Sequence, residues 1–153
     1  LKPIIITEHN WGPNVLRDSI TGKMCCLGFA AEQCGVKSPF YLDSVGLPNR
    51  IDVNVRTPEL RKFNRAIAQK VSPSLQKELF DALKKHKERT NGTYKYYKPR
   101  TRIAIRDVLT IANDSALDTG LFGTRGERLP VATAKRIIRK GFKEAGYRAV
   151  FRK

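Results

Sequence analysis

Residues 24–34, Met-Cys-Cys-Leu-Gly-Phe-Ala-Ala-Glu-Gln-Cys, constrain the fold more than any other stretch. They are apolar on nearly all sides, and Gly35 follows where a helix C-cap belongs. A helix of this kind has no face to offer water, so other elements must enclose it. The sequence therefore predicts a buried helix entering near Cys25, with the rest of the chain packed around it. At 153 residues the chain fits one domain, 1–153, large enough to bury a core without disulfide staples.

Lys2-Pro3-Ile4-Ile5-Ile6-Thr7 reads as a short buried strand, and Tyr147 to Phe151 as a terminal one, its natural partner. Glu8–Asn14 is punctuated as a loop by Gly12 and Pro13, and Thr21-Gly22-Lys23 as a turn. Residues 36–56 look irregular, with Ile51-Asp52-Val53-Asn54-Val55 alternating like a short strand. Thr57-Pro58-Glu59 is a helix start, with Thr at the N-cap, Pro at N1 and an acid in the first turn. Leu60, Phe63, Ile67 and Val71 form its apolar stripe, and Arg61, Lys62, Arg65 and Lys70 face water. Ser72-Pro73 opens a second helix, with Leu75, Leu79, Phe80 and Leu83 inward and Lys77, Lys84, Lys85, Lys87 and Arg89 solvated, ending at Asn91-Gly92. Ile103–Ala112 suits a helix or a strand, closed by Asn113-Asp114. Residues 115–129 read as a Gly-rich loop, and Pro130 starts a last helix with Val131, Ala134, Ile138, Phe142 and Ala145 on its core face. The expected class is α+β, with about five helices packed on a small sheet that pairs the two ends of the chain.

Charge is the compositional outlier. Thirty Lys and Arg face fourteen Asp and Glu, a net of +16, and residues 51–153 hold 25 of those cations against ten of the acids. A field of this size destabilises a compact chain by self-repulsion, and a polyanion relieves it. Nucleic acid, DNA or RNA, is the first partner this suggests, and an acidic protein the second. No apolar run is long enough to span a membrane, and the N-terminus lacks a signal-peptide layout. Three cysteines, two of them adjacent, make no disulfide framework and point to a reducing cytoplasm.

The segment Tyr94-Lys95-Tyr96-Tyr97-Lys98-Pro99-Arg100-Thr101-Arg102 interleaves rings with cations. Tyrosines can stack on unpaired bases while Lys and Arg neutralise phosphates, although packed rings beside a solvated charged face explain the same pattern. The candidate nucleic-acid contacts are Arg61, Lys62, Arg65, Lys84, Lys95, Tyr96, Tyr97, Lys98, Arg100 and Arg102. The paired helices at 58–90 are also spaced for a helix-turn-helix, but Val71-Ser72-Pro73 is a sharp break and the second helix has a wide core stripe.

Chemistry has weaker claims. Cys25 or Cys26 near a helix N-terminus, with His9 or His86, is an imaginable nucleophilic pair. Their neighbours favour small core residues instead. Asn113-Asp114 is read as a cap or turn before a catalytic carboxylate. Gly120–Gly126 is no phosphate loop, since no Gly-Lys-Ser/Thr follows, though Arg125 and Arg128 are available to phosphate. Three cysteines and two distant histidines lack metal-ligand spacing, and no cofactor motif is present.

Trp11-Gly12, followed by Gly22-Lys23-Met24-Cys25-Cys26-Leu27-Gly28-Phe29, resembles small bacteriophage proteins of unassigned activity, in which a tryptophan segment leads into a GKMCCLGF helix. Their IND element and closing helix and strand are matched by Ile111-Ala112-Asn113-Asp114, residues 131–145 and residues 147–151. Bacterial domains with a C-x-x-GA and ND layout look similar. The resemblance covers both ends of the chain and leaves a basic helical insertion at about 57–102 unmatched. It implies a phage accessory protein, in the host cytoplasm or the virion, and no catalytic residues.

Overall fold

The computed structural model of the chain describes residues 2–90, 99–117 and 129–153. Two strands, β1 (Lys2–Thr7) and β2 (Tyr147–Arg152), pair in parallel, Ile4 opposite Ala149 and Ile6 opposite Phe151. A parallel pair needs a crossover, and here nearly the whole chain supplies it. Five α-helices are described: α1 (Cys26–Gln33), α2 (Pro58–Ile67), α3 (Pro73–Thr90), α4 (Ile105–Leu117) and α5 (Val131–Glu144). The class is α+β, as the hydrophobic periodicities indicate.

Strand alternation gives the sheet two unlike faces. Ile4, Ile6, Tyr147 and Ala149 point into the core, where α1 lies against β1 and α5 against β2. On the other face Pro3, Arg148 and Arg152 are exposed. The core continues through Phe63, which stacks with Phe142 and meets Tyr147 edge-on at 5.1 Å between ring centres. The apolar stripes of α2 and α3 enter this same core: Leu60, Phe63, Ile67, Val71, Leu75, Leu79, Phe80 and Leu83 are all buried.

α1 is enclosed as its composition demands, with Cys26 to Ala31 buried without interruption. Its close approach to the preceding loop depends on Gly28. A Cβ there would sit 1.8 Å from the Leu16 carbonyl oxygen. Gly35, at φ +92°, turns the chain away in the left-handed region that glycine adopts at no steric cost. Thr57 caps α2 by accepting the Leu60 N–H at 3.0 Å, and its hydroxyl donates to the Cys34 carbonyl at 2.6 Å, tying the start of α2 to the end of α1. Ser72 begins α3 and is held by Glu144 of α5, which accepts from both its N–H and its hydroxyl.

Several local expectations are corrected. Residues 53–55 form a short 3-10 turn rather than a strand, because the Asp52 carboxylate accepts the Asn54 N–H at 2.9 Å and curls the backbone. The segment open to either reading at 103–112 is helical, with Asp107 accepting the Ala104 N–H at its start. Asn113-Asp114 does not close that helix, and residues 115–117, expected in a loop, are its last turn. Val131 is 44% exposed, and Ile137, fully buried, sits with Ala134, Ile138 and Phe142 on the core face of α5. Residues 91–98 and 118–128, with the expected helix stop at Asn91-Gly92 and most of the Gly-rich loop, lie outside the described residues.

Candidate nucleic-acid interface

The motif-bearing residues of the two chain ends converge, but on a structural joint. Asn113, fully buried, accepts from the Trp11 indole N–H at 2.6 Å and the Cys26 N–H at 2.9 Å. Its amide nitrogen donates to the Gly12 carbonyl and to Asp114 Oδ1, each at 3.1 Å. Asp114 in turn accepts the Asn14 N–H at 2.9 Å. The carboxamide is thus saturated, and the carboxylate is occupied in holding the tryptophan loop.

The environment of the thiols beside this joint disfavours their thiolate form. Cys25 and Cys26 are buried, and burial pushes Cys25 up to about 12 and Cys26 well above the ordinary thiol value. A position at a helix start lowers a thiol pKa only where the thiolate is not stripped of solvent, and desolvation wins here. Burial also raises Cys34. Among the described residues no three His, Cys, Asp or Glu side chains gather as a metal site, and no helix is long and apolar enough to cross a membrane.

The predicted cations that fall on described residues are exposed. Arg61, Lys62 and Arg65 project from the outer side of α2, away from Leu60, Phe63 and Ile67. Arg61 Nη1 also donates to the Arg56 carbonyl at 2.9 Å, which steadies its base. None of the three forms an ion pair with a described carboxylate. Lys62 lines a dent with Lys2, Glu59 and Tyr147 at the corner between α5 and β2. Lys84 is exposed on α3, which packs on α4 and α5. Arg100 and Arg102 are exposed on a segment that Gln76 clamps to α3, donating to Thr101 O at 3.0 Å and accepting from Ile103 N at 2.9 Å. Lys95, Tyr96, Tyr97 and Lys98 lie outside the described residues.

Other cations are spent on the fold. Arg17 pairs with Asp43 at 2.5 Å, Lys135 pairs with Glu8, and Arg56 donates to the carbonyls of Ile51 and Asn49. Arg136 and Lys140 share Glu78 at 2.9 and 2.8 Å. Burial pushes the Glu78 carboxyl up, yet the two hydrogen-bonded cations outweigh it and hold it below the ordinary value.

Sequence reasoning missed a second basic site. Arg139 of α5 and Arg148 and Arg152 of β2 line one groove on the outer side of the sheet, over Ile5 and Val150. Arg148 and Arg152 share a strand face by the two-residue period, a signal legible in the sequence. Arg139 arrives only by tertiary packing, its guanidinium 5.1 Å from the centre of the Phe151 ring. No protein-family model, curated protein or solved structure matches the chain.

Proposed function

We propose that the protein acts by binding nucleic acid, chiefly through phosphate contacts, as a phage-type accessory protein without catalytic residues. The observation that carries this reading is the outer face of α2. Arg61, Lys62 and Arg65 stand exposed on two successive turns and form no ion pair with a described carboxylate, in a chain of net charge +16. Cations so placed raise the free energy of the isolated protein and lower that of a complex with a polyanion. The burial of the thiols removes the main support for a cysteine-dependent reaction. Arg100 and Arg102, beside the junction of α2 and α3, extend the same reading to the end of the tyrosine-rich segment.

The test is fluorescence anisotropy with labelled duplex and single-stranded oligonucleotides across a salt series. Phosphate neutralisation predicts tight binding at low salt that collapses as salt rises, with a log–log slope of about −0.9 per contact on duplex. Failure to bind either form at low salt overturns the proposal.

A further inference from the structure

The two edges of the sheet are finished differently. On β1, Gln33 of α1 accepts the Ile5 N–H at 2.8 Å and donates to the Ile5 carbonyl at 2.7 Å. Its carboxamide takes the place of a neighbouring strand's backbone and closes that edge. Since both backbone groups of Ile5 turn to Gln33, those of Ile4 and Ile6 turn to β2. In the parallel register, with Ile4 opposite Ala149 and Ile6 opposite Phe151, they bond the flanking residues Arg148, Val150 and Arg152. The backbone groups of Ala149 and Phe151 therefore face the far edge, and no described residue hydrogen-bonds to them there.

That edge runs beside the groove where Arg139, Arg148 and Arg152 gather. Among the described residues no carboxylate lines it, and none of the three arginines forms an ion pair with one. Arg139 rests over the Phe151 ring, a contact it can leave at small cost.

We propose that this far edge of β2, without a partner among the described residues, accepts an acidic extended peptide segment of a partner protein as a third strand. The backbone requirement selects a peptide, because a strand edge presents donors and acceptors in alternation. A phosphate chain only accepts, and would leave the outward carbonyl of Ala149 without a partner. A second copy of β2 is disfavoured by charge, since it would bring Arg148 and Arg152 against their own kind. In an added strand, side chains on one face would meet Arg148, Val150 and Arg152, and those on the other would meet Arg139. Acidic residues on either face satisfy them. This contact is separate from the phosphate contacts assigned to α2.

The experiment uses the full chain, labelled with nitrogen-15, and a short synthetic peptide alternating valine and aspartate. Binding is read by anisotropy, and the edge by hydrogen exchange at the Ala149 and Phe151 amides. The expected result is saturable binding with slowed exchange at those two amides. A lysine-for-aspartate peptide should not bind. Methylating alternate peptide nitrogens removes about two backbone bonds and should weaken binding about tenfold. The Arg148→Ser/Arg152→Ser variant, altered only at exposed positions, should weaken it at least as much with its melting temperature kept. Equal binding of the methylated peptide would mean charge attraction without strand addition and would overturn the proposal. So would protection of the same amides by oligothymidylate but not by the acidic peptide. Loss of oligonucleotide binding in α2 variants that still take the peptide separates this site from the nucleic-acid reading.

Discussion

The indole N–H of Trp11 donates to the Asn113 carboxamide at 2.6 Å, joining two residues 102 positions apart in the sequence. The same oxygen accepts the Cys26 N–H, so one side chain fixes the tryptophan loop, the start of α1 and the middle of α4 together. An Asn side chain offers two donors and two acceptor sites, and all four are used. Replacing Asn113 by Ala leaves the indole, the Cys26 amide and the Gly12 carbonyl buried without partners. At about 1–3 kcal/mol for each stranded group, the variant should lose about 3 kcal/mol or more. Urea denaturation measures this directly. A loss under about 1 kcal/mol would mean that water enters and takes over the bonds.

What was legible in the sequence follows from how local each signal is. Thr57-Pro58 specifies a helix start from a cap and a ring within one turn, and α2 begins there. The two end strands were legible because each is a short apolar run with no nearer partner, although their parallel sense is not a local property. Asn113-Asp114 misled for the opposite reason. Asn and Asp favour turns when their side chains bond nearby backbone, but here Asn113 finds its partners on loops about a hundred residues away and the helix runs on. At Ile51–Val55 the alternation of apolar residues was outweighed by the local pull of Asp52 on the Asn54 amide. Of the cations, exposure on α2 could be read from helical spacing. The meeting of Arg139 with Arg148 and Arg152 could not, since it depends on how α5 lies against β2.

The cysteines make a pH prediction. Burial disfavours the Cys25 thiolate and pushes the thiol from an ordinary 9.0 up to about 12. The folded state then holds a proton that the unfolded chain releases, so this contribution to stability is complete below about pH 9 and is lost as pH rises towards 12. Stability should fall over that alkaline window, and less steeply in Cys25→Ala. In mildly alkaline buffer, iodoacetamide should label Cys25 and Cys26 only as fast as the protein unfolds. Rapid labelling of the native chain would contradict their burial. Cys26→Leu should cost about 1–3 kcal/mol by overpacking.

Glu78 fastens α3 to α5 through Arg136 and Lys140, and its carboxyl is held below the ordinary value. A depressed carboxylate stabilises the fold above its unfolded pKa, and that contribution disappears as pH falls through the folded value. All three side chains are partly open to solvent, so Glu78→Gln should cost only about 0.5–1 kcal/mol at neutral pH. The difference from the unaltered protein should shrink as pH falls below the ordinary glutamate value and vanish once the folded carboxyl is protonated. A gap that persists there would assign the effect to packing rather than to charge.

The α2 cations give the sharpest reading of the phosphate proposal. Arg61, Lys62 and Arg65 are exposed and contribute no apolar side chain to the core, so Ala at any of them should leave the melting temperature nearly unchanged. If each contacts one phosphate, each substitution should reduce the magnitude of the salt slope by about one on duplex and weaken every sequence alike. Arg61 should lose somewhat more than Lys62, because its guanidinium is steadied by the Arg56 carbonyl and less freedom is lost on binding. Lys84→Ala provides the comparison on a different helix, exposed on α3, which packs on α4 and α5. Equal losses at Lys84 and at the α2 positions would mean that the whole field, not the α2 face, holds the nucleic acid. A slope unchanged by all three α2 substitutions would remove α2 from the interface and leave Arg100 and Arg102 as the described cations to test next.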